Sequence, residues 1–249
     1  DYVKSALPAR DPAGHKGTFG KVCLLGGSVG YTGAPVLCAR GAVRGGCGLV
    51  FLGVPQEVWP IAAVKCDEAM PFPLPSAEGR LSLDAEAELR RRAAGCDVLA
   101  IGCGMGRGDE TDALTRRLLT MELPLVLDAD GINALSGHID ELSCRRSLVT
   151  VLTPHDGELA RIGGDMAAPR ESAASDFAVR HGVYLVHKGR RTVVAAPDGR
   201  LAVNTTGNDG MAKGGSGDVL TGLLASLLAR AQSPSPPAAP PYGCMAGPG

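Results

Sequence analysis

Short apolar runs alternate with helical segments along the chain, and this alternation limits the folds that the chain can adopt. The runs, rich in Val, Ile and Leu, lie at 22–25, 49–52, 98–101, 125–127, 148–152, 183–186 and 192–196. Between them, apolar residues recur at helical spacing over 34–44, 84–94, 109–121, 171–181 and 216–230. Strands that are apolar on both faces and alternate with helices indicate a parallel sheet covered on both sides. The pattern predicts a three-layer α/β/α fold with a mainly parallel central sheet.

One connection is too short for a parallel crossover. Only residues 187–191, which include Lys188-Gly189-Arg190-Arg191, separate the last two runs, whereas a crossover needs about a dozen residues or more. The sequence therefore predicts a hairpin and an antiparallel edge. The predicted domain covers residues 1–230. Five prolines within 233–241 exclude a helix there, so we expect residues 231–249 to form a Pro-rich, truncated C-terminal segment.

Composition narrows the function classes. Lys and Arg number 25 against 26 Asp and Glu, a formal net charge of -1, which argues against a nucleic-acid-binding surface. The sequence shows neither an apolar run long enough to span a bilayer nor a signal-peptide pattern, so we expect no membrane partner and a cytoplasmic location. The eight cysteines are scattered without a CxxC pair, which indicates buried, reduced thiols rather than a zinc site.

The most informative segment lies before the last predicted helix and ends in Lys213-Gly214-Gly215-Ser216-Gly217-Asp218. Its three glycines allow successive backbone N–H groups to point at one anion, and a helix N-terminus adds roughly half a positive charge. These features predict a phosphate site. No GxxxxGK[ST] occurs, which excludes a P-loop NTPase. Asp218, in the first helical turn, handles a proton or a metal, or is only a favourable helix-terminal charge.

Further candidate residues follow the predicted strands, whose carboxyl ends form the usual ligand edge of an open parallel sheet. A structural role stays open beside each functional one. Asp128 and Asp130 hold magnesium or cap the next helix. His155 contacts the substrate or is a hydrogen-bonded structural group, and Lys188 binds phosphate or is an ordinary surface lysine. The loop 102–106, with three glycines, contacts ligand or is only a tight turn.

Five motifs together resemble one known family. They are His15-Lys16-Gly17-Thr18-Phe19-Gly20-Lys21, Gly26-Gly27-Ser28 with Thr32-Gly33-Ala34, Asp128-Ala129-Asp130-Gly131-Ile132-Asn133-Ala134-Leu135, Leu152-Thr153-Pro154-His155 with Gly157-Glu158, and the glycine-rich stretch 204–220. On these motifs the chain resembles the ADP- or ATP-dependent NAD(P)H-hydrate dehydratases, a branch of the ribokinase-like superfamily. The long glycine-rich motif is the most specific, because its glycine–aspartate ending alone indicates only the superfamily.

The resemblance implies a metabolite-repair reaction on the S epimer of NADH hydrate or NADPH hydrate. ADP or ATP would phosphorylate the ring hydroxyl, and phosphate would then leave as the double bond re-forms, because phosphate is a better leaving group than hydroxide. Mg²⁺ would shield the remaining charge. The resemblance also implies a homo-oligomer, of tetramer size, and excision from a fusion with an NAD(P)H-hydrate epimerase domain.

The resemblance further implies roles for residues at matching positions. Asp218 would take the hydroxyl proton and so act as the catalytic base. The implied substrate contacts are Ala34, Gly104, Asn133, His155 and Asp218. The implied nucleotide contacts are Lys188, Gly189, Arg190, Arg191, Thr192, Gly215, Ser216 and Gly217. The metal ligands stay unassigned.

Three loop positions depart from the family pattern. Cys103, Asp156 and Asp209 stand where the family commonly has proline, and we expect altered loop stiffness rather than altered chemistry. Two other functions compete with the dehydratase. A ribokinase-like kinase for a vitamin precursor would use the same anion hole and aspartate but leave the phosphate on its product. A non-catalytic nucleotide sensor would bind nucleotide without turnover.

Overall fold

The computed structural model describes residues 10–146 and 148–232. Its strands are β1 Lys21–Leu25, β2 Leu49–Pro55, β3 Met70–Leu74, β4 Ser76–Ala77, β5 Arg80–Leu81, β6 Val98–Ile101, β7 Leu125–Leu127, β8 Thr150–Leu152, β9 Tyr184–His187, β10 Val193–Ala195 and β11 Leu201–Val203. Its α-helices are α1 Gly33–Arg44, α2 Trp59–Lys65, α3 Ala85–Ala93, α4 Asp109–Leu118, α5 Ala129–Asn133, α6 Asp156–Arg161, α7 Arg170–His181 and α8 Ser216–Gln232. Short 3₁₀ helices occur at Lys16–Phe19, Ile139–Arg145 and Asp209–Met211. The Pro-rich segment was predicted over residues 231–249, but α8 includes residues 231 and 232; the rest of the segment lies outside the described residues.

The central sheet has the strand order β11-β10-β9-β8-β7-β6-β1-β2-β3. All pairs from β3 to β9 are parallel, whereas β10 pairs antiparallel with both β9 and β11. The predicted fold class and the predicted hairpin after β9 are both confirmed. The β4–β5 hairpin forms a separate two-stranded sheet.

Both faces of the central sheet are buried. Cys23 and Leu25 of β1 belong to the apolar cluster on one face, and Val22 and Leu24 belong to the cluster on the other. This alternation follows from the two-residue period of a strand. It explains why the central strands appear in the sequence as continuous apolar runs.

Two edge strands were not predicted. β3, with the sequence Met-Pro-Phe-Pro-Leu, contains two prolines and occupies one edge of the sheet. Proline lacks a backbone N–H, and at the open side of an edge strand this loses no hydrogen bond to a neighbouring strand. β11 occupies the other edge, and none of its three residues is fully buried. The short helices α2, α5 and α6 were also missed, because segments of five to seven residues show little helical periodicity.

Helix α8 carries the glycine-rich segment to the sheet. It packs so closely on α1 that a Cβ at Gly222 would lie 1.9 Å from the backbone oxygen of Cys38. Its Ala225 and Ala229 are fully buried, so α8 is held along its length and its N-terminus is fixed at the carboxyl edge of the sheet. Among the described helices, none is both long enough and apolar enough to cross a membrane.

Candidate active site

Asp128 is the buried centre of the polar residues at the carboxyl ends of the strands. Its Oδ1 accepts hydrogen bonds from Lys188 Nζ at 2.6 Å and Thr153 Oγ1 at 2.7 Å. Its Oδ2 accepts one from Thr221 Oγ1 at 2.9 Å. Asp128 precedes α5, yet its side chain makes no capping hydrogen bond, so the capping role is wrong. A carboxylate that is 1% exposed needs such partners, since an unpaired buried charge is costly.

Lys188 is not an ordinary surface lysine. Its side chain is 21% exposed and lies 2.6 Å from Asp128 and 3.7 Å from Glu158 Oε2. Burial lowers the pKa of Lys188, but the charges of Asp128 and Glu158 outweigh it, and the pKa is raised. Lys188 therefore presents a fixed positive charge at the end of β9.

Asp218 lies beside this ion pair. A carboxylate oxygen of Asp218, one of Asp128 and the Cys103 sulfur are all within 4.8 Å of one another. Burial and the negative charge of Asp128 raise the pKa of Asp218, whereas hydrogen bonding with Cys103 and the charge of Lys188 oppose the rise. A partly desolvated carboxylate with a raised pKa is a stronger base than a free one, which suits it to accept a proton.

The glycine-rich loop places its backbone against the same charges. A Cβ at Gly217 would lie 3.5 Å from Lys188 Nζ and 3.6 Å from Asp128 Oδ2. Gly215 has φ +94°, which favours glycine, and Ser216 Oγ donates to the Met211 backbone oxygen at 2.8 Å. The free N–H groups at the start of α8 thus lie next to a lysine, as an anion site requires.

Two predicted substrate contacts lie against each other: Gly104, on the loop after β6, and Ala34, in the first turn of α1. A Cβ at Gly104 would lie 2.8 Å from Ala34 Cβ and 3.1 Å from the Tyr31 backbone oxygen. Ser28 Oγ donates to the Gly104 backbone oxygen at 2.9 Å. At Gly102, φ is +133° and a Cβ would lie 1.8 Å from the Asp128 backbone oxygen. The loop 102–106 therefore forms the tight turn that was one of its two predicted roles, and this turn places Gly104 next to Ala34.

His155 has a structural contact and an exposed ring. Its Nδ1 accepts from the backbone N–H of Gly157 at 3.0 Å and of Glu158 at 3.3 Å, and it thereby caps α6. Its Nε2 lies 3.3 Å from Glu158 Oε1, while the side chain remains 58% exposed. The cap fixes the ring at the edge of the site and leaves its exposed surface for a ligand.

Asn133 and Asp130 organise the loop next to Gly104. Asp130 Oδ2 accepts from the Gly106 N–H at 2.9 Å, and its Oδ1 lies 3.4 Å from Asn133 Nδ2. The Asn133 side-chain oxygen accepts from Arg161 Nη1. Asp130 therefore holds the loop through backbone N–H contact.

The remaining predicted nucleotide contacts follow β9. Arg190 and Arg191 are exposed, and Arg191 has φ +60°. Thr192 Oγ1 donates to the Gly189 backbone oxygen at 3.0 Å, which closes this turn. The turn thus gathers two exposed cations close to Lys188.

His15 and Lys16 lie at the other end of the sheet. A Cβ at Gly20, which follows their 3₁₀ helix, would lie 2.7 Å from the backbone carbon of Ala229. Ala229 is eleven residues after Asp218 on α8, a rise of roughly 16 Å. His15 Nδ1 caps its own short helix by accepting from the Gly17 N–H at 3.1 Å. These residues therefore stabilise the amino end of β1 and do not line the site.

Among the described residues, one group of side chains close to the glycine-rich loop could contribute ligands to a magnesium ion. The donor set within 4.8 Å is one thiol and two carboxylates, and both oxygens of Asp128 already accept hydrogen bonds. Mg²⁺ prefers oxygen ligands and usually binds through one or two carboxylates and the substrate's phosphates. This donor set is no oxygen cage of its own, so Mg²⁺ fits this site only as a companion of bound phosphates.

Sequence reasoning missed the residues that hold Asp128 and Lys188. Thr153, Thr221 and Glu158 make those contacts. Thr153 and Glu158 stand inside the motif around His155, which was the available signal. Thr221 lies one helical turn after Gly217, and this spacing places it on the face of α8 that meets the sheet.

Fold and site together define a class of protein. The three-layer α/β/α fold is similar to that of a solved ribokinase-like superfamily protein from Enterococcus faecalis, with 24% identity and a TM-score of 0.78 over 92% of this chain and 78% of its own. A sequence model of the NAD(P)H-hydrate dehydratase family matches residues 22–241. The chain belongs to that family, and the predicted family is confirmed.

Individual relatives agree with this assignment. The ADP-dependent (S)-NAD(P)H-hydrate dehydratase of Neisseria meningitidis is 38% identical over 89% of this chain and 73% of its own. A solved Bacillus subtilis ADP/ATP-dependent NAD(P)H-hydrate dehydratase, co-crystallised with ATP/Mg²⁺, has 30% identity and a TM-score of 0.72 over 92% of this chain and 83% of its own. The bifunctional NAD(P)H-hydrate repair enzyme Nnr of Moorella thermoacetica is 44% identical over 96% of this chain but 46% of its own. The chain spans about half the length of such bifunctional relatives.

Proposed function

We propose that this chain is a nucleotide-dependent dehydratase that converts the S epimer of NADH hydrate or NADPH hydrate back to NAD(P)H, with ADP or ATP as the phosphoryl donor. The observation that carries the proposal is the juxtaposition of Asp218, Gly217 and Lys188. A base, an anion-binding helix N-terminus and a fixed cation lie within one small region. Membership of the NAD(P)H-hydrate dehydratase family supports NAD(P)H hydrate as the proposed substrate.

Each residue group has a distinct task in this proposal. Asp218 accepts the proton of the ring hydroxyl while the hydroxyl oxygen forms a bond to the terminal phosphorus of the nucleotide. The bond from that phosphorus to its bridging oxygen breaks, which releases AMP from ADP or ADP from ATP. The N–H groups of Gly215, Ser216 and Gly217 and the charge of Lys188 stabilise the phosphoryl oxygens, which gain charge in the transition state. The C–O bond then breaks with phosphate as the leaving group, and loss of a ring proton restores the double bond. Mg²⁺ supplies charge neutralisation when it is bound to the phosphates.

Substrate and nucleotide approach from different loops. Four residues are proposed to bind the hydrate. Gly104 and His155 lie on the loops after β6 and β8, Ala34 lies in the first turn of α1, and Asn133 is the last residue of α5. Lys188, Gly189, Arg190, Arg191 and Thr192 lie on the turn after β9 and are proposed to bind the nucleotide. Asp218 stands at the start of α8, where both ligands must meet for phosphoryl transfer. Phosphoryl transfer needs the attacking and leaving oxygens to be roughly in line, so the two ligands are proposed to approach Asp218 from opposite sides of the transferred phosphorus.

The direct test is to follow the near-ultraviolet absorbance of NADH as it forms from NADH hydrate in the presence of Mg²⁺. Reactions contain ADP, ATP or no nucleotide. A rise that requires nucleotide supports the dehydratase and identifies its donor. A phosphorylated vitamin precursor formed in a parallel assay, without any rise on NADH hydrate, would establish the kinase instead. Binding of ADP without turnover on either substrate would establish the sensor.

Four further proposals concern the extent of the domain, its cellular location, its oligomeric state and a second activity joined to it. Residues 1–230 are proposed to form the dehydratase domain and to act in the cytoplasm, where the pyridine nucleotides are. A homo-oligomer is proposed, with light scattering of the purified chain as the test. An epimerase activity joined to this domain is proposed because the Moorella relative is a bifunctional repair enzyme. The length of the natural protein, measured by immunoblot of its source cells, tests that proposal.

A further inference from the structure

Arg170, the first residue of α7, holds the end of β9 with its guanidinium group. Nη2 donates to the backbone oxygens of His187, at 3.2 Å, and of Lys188. A Cβ at Gly189 would lie 2.6 Å from Nη2, so a side chain at this position would displace the guanidinium group from its present place. One side chain from another helix thus fixes the backbone that begins the proposed nucleotide-binding turn.

Asp156, the first residue of α6, joins Arg170 to His187. Its Oδ1 accepts from Arg170 Nη1 at 2.5 Å and lies 2.7 Å from His187 Nε2. His187 is 1% exposed, and burial and the nearby Arg170 charge lower its pKa, although Asp156 opposes this. The neutral ring therefore donates its Nε2 proton to Asp156. These contacts define the Asp156–Arg170–His187 cluster.

The cluster is not arranged for stability alone. Arg170 Nε and His187 Nδ1 are buried without a hydrogen-bond partner among the described residues. Each unpaired buried polar atom costs stability, and such atoms tend to be retained where another requirement needs the group. These two unpaired atoms lie at the end of β9, directly before Lys188, so the loss of stability occurs where the position of Lys188 is set.

Through Asp156, the cluster connects the proposed substrate-binding and nucleotide-binding segments. Asp156 directly follows His155, a proposed substrate contact, and its partner His187 directly precedes Lys188, a proposed nucleotide contact. Through Arg170 and His187, Asp156 therefore connects the start of α6 to the end of β9.

We propose that Asp156, Arg170 and His187 form a positioning network that holds the Lys188–Gly189 backbone in the conformation that binds nucleotide. The inference rests on the proposed nucleotide-dependent function. Arg170 fixes the two carbonyl groups, and Asp156 fixes the direction of the guanidinium. None of the three needs to touch the reacting atoms, so they act through Lys188.

Two substitutions separate this role from a general effect on folding. Asp156→Pro removes the carboxylate but keeps a residue that is favoured at the first helical position. His155 has φ -84° and ψ 176°, a conformation that suits the residue before proline. Arg170→Lys keeps the charge but loses the planar fork that reaches two carbonyl oxygens. Arg91→Gln, which breaks an exposed pair with Glu88 on α3, is the matched control.

The experiment measures ADP–Mg²⁺ binding by calorimetry and hydrogen exchange of the peptide covering 188–192, together with steady-state kinetics. We expect both Asp156→Pro and Arg170→Lys to weaken ADP binding about tenfold, the loss of one charge-assisted contact. Exchange at 188–192 should become faster, while kcat at saturating ADP and KM for the hydrate change less than about twofold. Arg91→Gln should match the wild type.

Two results would overturn the inference. In the first, both variants keep wild-type ADP affinity and exchange. In the second, kcat and the thermal midpoint fall while both KM values rise, which marks a structural role. A third result separates the inference from the proposed function. If the wild type binds no ADP but the variants still accelerate exchange at 188–192, then the nucleotide-dependent function fails while the cluster's hold on the turn stands.

Discussion

Lys188 Nζ lies 2.6 Å from Asp128 Oδ1, and this contact joins the ends of β9 and β7 across the intervening strand β8. Thr153, at the end of β8, donates to the same carboxylate. Three adjacent strands are thus connected at one point on the ligand edge. The lysine is held before any ligand arrives, and a preorganised charge does not need to reorient when a phosphoryl group is transferred.

The charges around this contact do not balance. Asp128, Glu158 and Asp218 are three carboxylates near a single Lys188. A nucleotide adds further negative charge, so it needs cations that arrive with it or line the turn. Arg190 and Arg191 are exposed on that turn, and Mg²⁺ on the phosphates is the other source. The residual negative charge explains why a dehydratase built this way would need Mg²⁺ for nucleotide binding.

Lys188→Met should destabilise the protein and weaken nucleotide binding. The substitution leaves Asp128, which is 1% exposed, with its hydroxyl donors but without its counter-charge. Removal of one partner of a buried ion pair costs about 3 kcal/mol. We expect a lower denaturant midpoint in the absence of ligand and a loss of affinity for ADP–Mg²⁺. Lys65→Met, at an exposed lysine, is the control, and a midpoint equal to that of the wild type would contradict the pairing.

Asp218→Asn should abolish turnover and leave nucleotide binding nearly intact. Asparagine is close in size to aspartate but cannot accept the hydroxyl proton, and loss of a general base costs about 100-fold to 10,000-fold in rate. Because a negative charge next to the phosphates is also removed, ADP affinity should stay equal or rise. Calorimetry and the NADH absorbance assay measure the two effects separately. A variant with comparable turnover would show that Asp218 is not the base.

Cys103→Ala should move the acid limb of the pH–rate profile to higher pH. In its proposed role as the base, Asp218 must be ionised for turnover, so the rate should fall as the pH falls through the pKa of Asp218. Burial raises that pKa and hydrogen bonding with Cys103 lowers it; without the thiol the pKa rises further. The plateau rate should change little.

The matched control for this profile is Cys66→Ala. Cys66 is a free thiol at the end of α2 and belongs to a different part of the chain. Its replacement should leave the acid limb in place. An acid limb that stays or moves to lower pH in Cys103→Ala would show that the thiol does not support the ionised form of Asp218.

The sequence predicts the centre of this fold better than its edges. β1 and β6 are apolar on both faces and therefore appear as uninterrupted runs. β3 lies at the edge, where alternate prolines cost no ladder hydrogen bond, and its sequence gives no strand signal. Local patterns therefore predict an element only where its neighbours on both sides impose the pattern.

The same limit applies to the site. Gly217 and Asp218 can be predicted because a glycine-rich helix N-terminus has a local chemical meaning. The partners of Asp128 lie 25, 60 and 93 residues away along the chain, at Thr153, Lys188 and Thr221. No spacing rule connects residues at such separations, so only the folded sheet brings them together. For the same reason, the sequence alone leaves a capping role open for Asp128, although the folded chain uses its side chain differently.

Gly217→Val tests whether the start of α8 is the phosphate site. The Cβ alone would lie 3.5 Å from Lys188 Nζ and 3.6 Å from Asp128 Oδ2, which is ordinary van der Waals contact. Alanine should therefore fold normally and weaken ADP binding only in part. The branched methyl groups of valine would occupy the space in front of the N–H groups, so we expect no measurable ADP binding.

The control for both substitutions is Gly95→Ala, where the nearest atom to an added Cβ is the Arg92 backbone oxygen at 4.0 Å. It should bind ADP as the wild type does. Thermal midpoints of all three variants show whether the fold is kept. A folded Gly217→Val protein with an unchanged dissociation constant for ADP would place the nucleotide phosphates away from α8, because a valine at this position and a phosphate cannot share the same space.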